Sequence, residues 1–115
     1  MPQTVTTVDI LQEYLIGVIS RAEHHANNVN EICLAIAGAV VWRKEGDIQV
    51  LAREGDMKNV LWFWVGGERF ALSYDRDHEG GPAIVVRDSN TQGRELAAFT
   101  NASSIADVKQ FFGNL

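Results

Sequence analysis

Apolar and polar positions follow several distinct rhythms along the chain, and each rhythm predicts an element. Leu11, Leu15, Val18 and Ala22 recur at spacings of three and four, with Ile10, Tyr14 and Ile19 beside them. That wide stripe predicts a helix from about Val8 to Ala26. Thr6, with Asp9 three residues later, has the spacing of a capping box, and Asn27 and Asn28 suit an exit turn. Residues Ile32 to Trp42, ICLAIAGAVVW, are apolar throughout. Their length allows a helix, but the β-branched ends and the turn residues Glu45-Gly46-Asp47 favour a strand. As a strand, Ile32, Leu34, Ile36, Val40 and Trp42 share one face. Cys33, Ala35, Ala37 and Ala39 share the other.

The later runs carry strand punctuation. Ile48–Arg53 alternates in part and ends at the turn Glu54-Gly55-Asp56. Val60–Val65 is continuously apolar. Gly66-Gly67 fits a two-residue hairpin turn in which both residues take positive φ. Arg69–Tyr74 alternates, a polar loop covers Asp75 to Gly81, and Ala83–Arg87 and Glu95–Phe99 follow. Short connections of this kind join antiparallel neighbours. A last helix is expected over Ile105–Phe112, with Ser104 and Asp107 as its capping box and Gly113 at C′. Leu15, Val18, Ile36, Phe63, Leu72 and Ile84 are the expected core.

These elements predict an α+β domain spanning residues 1–115: an N-terminal helix, a five- to six-stranded antiparallel meander sheet, curled, and a short C-terminal helix. The third strand motivates the curl. Val60, Trp62 and Trp64 point to one side and Leu61, Phe63 and Val65 to the other, so both faces need cover. Curling, the last helix, a second copy or a ligand would each supply it.

Composition narrows the function. Of 115 residues, 46% are hydrophobic and 22% charged, an ordinary globular balance. Ten basic residues against fifteen acidic leave a net charge of −5, which argues against a broad nucleic-acid surface. No apolar run reaches the roughly 18 residues of a membrane span. The first residues, MPQTVTTVD, lack a basic segment followed by an apolar one, so a cytoplasmic protein is expected. One cysteine excludes an internal disulfide. No phosphate-binding, dinucleotide-binding or metalloprotease motif occurs, and no cofactor is expected.

Few residues carry candidate chemistry. Asp75, Asp77 and Glu79 with Gly80 open like a calcium loop, but position twelve is Val86, so the closing carboxylate is missing. A solvated loop is the expected reading. His24 and His25 are adjacent near a helix end and point about 100° apart, a poor pair for one metal. Cys33 lies in an apolar run that suppresses thiol reactivity. An enzyme stays open because catalytic residues need not form a linear motif; Glu13, Glu68, Arg69 and Tyr74 are the set that would have to converge. The tryptophans are the better binding candidates, since each indole N–H needs a partner. Trp42, Val60, Trp62, Trp64 and Tyr74 are therefore the expected interface or cleft residues.

In size, acidity and layout the chain resembles the small acidic proteins carried on bacterial integron gene cassettes. Such proteins share no common fold or activity, so the resemblance implies no site residue. The expected function is a non-enzymatic binding domain that self-associates as a homodimer through the apolar sheet face. The alternatives are a small-molecule-binding protein with an aromatic cleft for an apolar ligand, and a chaperone-like adaptor for peptides.

Overall fold

The computed structural model describes residues 2–5, 12, 30–53, 56–75, 77–79 and 81–115. The helix expected over Val8–Ala26 falls outside them apart from Gln12. So do Thr6, Asp9, Glu13, Leu15, Val18, His24 and His25.

Among the described residues six antiparallel strands form one sheet in chain order: β1 (Pro2–Val5), β2 (Ile48–Arg53), β3 (Asp56–Val65), β4 (Glu68–Asp75), β5 (Ala83–Asp88) and β6 (Glu95–Phe99). Among the described residues two helices accompany them, α1 (Asn30–Arg43) and α2 (Ile105–Gly113). The β3–β4 turn is Gly66-Gly67 with φ of 62° and 80°, the double left-handed geometry that two glycines adopt without strain.

Three expectations need correction. The sheet is not curled. Its order runs from β1 to β6, and those two edge strands do not pair with each other. Closure would need a ladder along β1, which has only four residues and begins with Pro2, a residue without an N–H. The chain also contributes a strand at its start, Pro2–Val5, paired antiparallel to β2.

The largest correction is Ile32–Trp42, which is helical. Ile32, Cys33, Ile36, Ala39 and Val40 are buried, at spacings i, i+1, i+4, i+7 and i+8. That is one face of a helix, not alternate residues of a strand. Alanines at 35, 37 and 39 supply helix propensity, and Glu31 and Arg43 match the helix dipole at its two ends. The period was hidden because the outer face is apolar too: Leu34, Val41 and Trp42 are all more than half exposed.

α1 is capped from a distance. The Asn101 side-chain oxygen accepts from the backbone N–H of Ile32 at 2.9 Å and of Glu31 at 3.1 Å. Those are two of the four donors that a helix start leaves unpaired. α2 is capped locally, as its sequence predicts. The Asp107 N–H donates to Ser104 Oγ at 3.0 Å, and the Ser104 N–H to Asp107 Oδ2 at 3.3 Å. Gly113 departs from expectation: it closes the helix itself, and Asn114 is the cap residue with φ −93°.

Both helices pack on one face of the sheet. A rib of facing residues crosses it, Val50 opposite Leu61, then Leu72, Val86 and Ala97. Buried residues of α1 and α2 join these strands in one core. Each fully buried aliphatic side chain there contributes about 1.5–3 kcal/mol before entropy is subtracted. Ile36, Phe63, Leu72 and Ile84 belong to this core as expected, none more than 6% exposed. The chain's five phenylalanines form one connected set: Phe63 with Phe70 and Phe112, Phe99 with Phe111 and Phe112, and Phe111 edge-on to Phe112.

Replacing Asn101 with alanine strands two helix-start donors. Urea unfolding of Asn101→Ala is expected to show a loss of about 1 kcal/mol, while Asn101→Asp keeps most of the stability. Equal midpoints for wild type and the alanine variant would remove Asn101 from its capping role.

Candidate functional site

The expected site residues do not meet in one place. Val60 and Trp62 lie on the sheet face turned away from α1 and α2, and are buried with Ala71. Leu51 and the half-buried Trp64 pack against them. The Arg69 guanidinium lies 5.8 Å from the Trp62 ring centre, and its Nε donates to the Ser89 carbonyl at 2.6 Å. Ala83 and Val85, on the same face, are buried as well. Val60, Trp62, Ala71, Ala83 and Val85 are thus buried within the single chain, on the surface expected to receive a second copy, while Leu51 and Trp64 are half-buried. Tyr74 lies on the opposite face, half-buried against the main core. Trp42 is on a helix rather than a strand, at the C-terminal end of α1, and is 55% exposed.

The polar candidates are used in other ways. Asp75 Oδ1 accepts from the Asp77 N–H at 3.0 Å, and Asp75 Oδ2 lies 3.5 Å from an Arg87 nitrogen. His78 Nε2 meets Glu95 Oε1 at 3.0 Å. Among the described residues no three His, Cys, Asp or Glu side chains converge as metal ligands. Glu68 and Arg69 are neighbours on β4 and face opposite sides. Tyr74, five residues beyond Arg69, faces away from it, so these three do not converge. Cys33 is buried in α1, and desolvation pushes its thiol pKa from 9.0 up to about 11.

A concave site does form between the two helices. Ala35, Ala39 and Trp42 of α1 and Ile105, Val108 and Lys109 of α2 line a groove of about 190 Å³. Two alanines leave the space, and the large side chains stand at its margin. Ile105 is 72% exposed. The Trp42 ring lies against α2 at Gly113, where an added Cβ would come within 3.4 Å of the indole. Trp42 also carries the Arg43 guanidinium 5.6 Å from its ring centre, and that guanidinium donates to the Leu115 carbonyl at 2.9 Å. Of the expected residues only Trp42 lines the groove. Ala35, Ala39, Ile105, Val108 and Lys109 were missed as site residues. Their signal is present only once Ile32–Trp42 is read at helical period, because Ile105, Val108 and Lys109 then stand at i, i+3 and i+4 opposite it.

Residues 11–109 match a family model described as integron cassette protein VCH_CASS1 chain. The chain belongs to that family. No curated protein matches the chain. The matched span contains all six groove residues, while β1 lies before it. The family description carries no ligand or reaction, so the site rests on its geometry. Among the described residues no helix is long and apolar enough to cross a membrane.

Burial makes a checkable statement about Cys33. Between pH 9 and 11 the unfolded thiol ionises and the folded one does not, so its contribution to stability is present below pH 9 and fades as pH rises to 11. At pH 8 the folded thiolate population is about a hundredth of the usual one. Iodoacetamide is expected to alkylate the folded protein at least about 100-fold more slowly than the urea-unfolded chain. Equal rates would show that Cys33 is open.

Proposed function

We propose that this chain is a non-enzymatic binding domain whose α1–α2 groove takes a small apolar ligand. The observation that carries the reading is the groove itself, lined by Ala35, Ala39 and the buried Val108, with the exposed Trp42 and Ile105 beside them. Exposed aromatic and branched aliphatic side chains around a concavity favour desolvation by a guest. Five of the six lining residues are apolar, and the sixth, Lys109, is not joined there by a nucleophile or a carboxylate. At about 190 Å³ the space is below the usual range for drug-sized ligands and fits a small molecule or one side chain better than a peptide segment. That favours the small-molecule reading over the peptide adaptor. The burial of Val60 and Trp62 within one chain favours it over self-association through the sheet.

The test is a proton–nitrogen correlation spectrum titrated with indole. Saturable shifts at millimolar indole are expected at residues 35, 39, 42, 105 and 108, and Trp42→Ala should weaken them about tenfold. No shifts in the groove, or shifts centred on residues 60–64, would overturn the assignment. A concentration-dependent dimer that Trp42→Ala abolishes, without indole binding, would give the groove to a second copy instead.

A further inference from the structure

Charge around the groove points to the ligand class. α1 and α2 each contain one acidic residue, Glu31 and Asp107. Glu31 is in the first turn of α1, at the end away from Trp42. Asp107 turns back to accept from the Ser104 N–H. At the Trp42 end Lys109 lines the groove, while the Arg43 guanidinium lies over the Trp42 ring and is already engaged by the Leu115 oxygen at 2.9 Å. Lys44 follows and donates to the Gly46 carbonyl at 3.0 Å. Glu45, the next acid in the chain, accepts from the Gly66 N–H at 2.7 Å, on the β3–β4 turn. A chain of net charge −5 thus places one exposed ammonium, Lys109, beside an apolar, aromatic-sided space.

We propose that the groove selects small aromatic carboxylates. This rests on the groove reading above and adds the anion. The ring packs between the two alanines and the Trp42 indole, and the carboxylate reaches the Lys109 ammonium at the mouth. An aryl face against tryptophan gains from offset stacking as well as from burial. The ammonium–carboxylate contact is charge-assisted but partly screened, because Lys109 is exposed. Selectivity for the anion over a neutral isostere of the same shape is therefore about two- to fivefold.

The experiment compares phenylacetate with phenylacetamide by the same spectra, on wild type, Lys109→Met and Arg43→Met. The methionines keep an unbranched apolar stem and remove the charge, and each spectrum reports whether its variant is folded. Expected are groove shifts with both probes, phenylacetate binding about two- to fivefold more tightly in wild type, and that advantage lost in Lys109→Met while phenylacetamide is unchanged. Rising salt should weaken phenylacetate alone. Equal affinity of the two probes in wild type would overturn the carboxylate proposal and leave the groove reading standing. An advantage that survives Lys109→Met and falls in Arg43→Met would move the anion contact to Arg43 and overturn the role given to Lys109. Folded protein with groove shifts from neither probe would overturn both readings.

Discussion

Phe112 fastens the helix layer to the sheet, and the groove exists because of where that fastening holds α2. Its side chain is fully buried, with Phe63 of β3 at 5.9 Å, Phe99 of β6 at 6.4 Å and Phe111 at 5.3 Å between ring centres. Phe63 in turn stacks on Phe70 of β4 at 5.5 Å. A nine-residue helix is too short to be stable alone, so tertiary packing must hold it. Offset and edge-on rings restrict orientation as well as burying area. Truncation at such a position ordinarily costs about 3–5 kcal/mol. The capping box then fixes the start of α2, and the Trp42 indole lies against its last residue.

α1 is held to the same layer from both ends. Asn101, in the connection between β6 and α2, caps its first turn. Arg43 ties its last turn to the chain's C-terminal residue, Leu115. α1 is therefore positioned by the segments that flank α2, and both helices by one shared core. Between them the alanines are too small to fill the space, which leaves a groove rather than a packed seam. The tryptophan that borders it is the one tryptophan that the sheet does not use.

Most strands were readable because their signals are local. The Gly66-Gly67 turn, the alternation in Arg69–Tyr74 and the Ser104–Asp107 box each lie within a few residues and appear where they were expected. Ile32–Trp42 was misread for a physical reason. A helix shows its period only when its outer face is polar, and here Leu34, Val41 and Trp42 remove that contrast. One of those three, Trp42, also borders the candidate site. β1 gave no signal, since a four-residue edge strand takes its stability from β2 rather than from its own composition.

The site was less accessible still, because it is built from residues some 70 positions apart. Trp42 was singled out for its indole, yet its neighbours Ile105 and Lys109 read as ordinary members of a terminal helix. The most direct test of the account is a crystal of the protein soaked with 4-bromobenzoate, with the bromine located by its anomalous signal. The account predicts one principal bromine peak between Ala35, Ala39 and Val108, with the carboxylate directed at Lys109. A principal peak against Val60 and Trp62, or a groove filled by a second copy of the chain while bromine sits elsewhere, would contradict it.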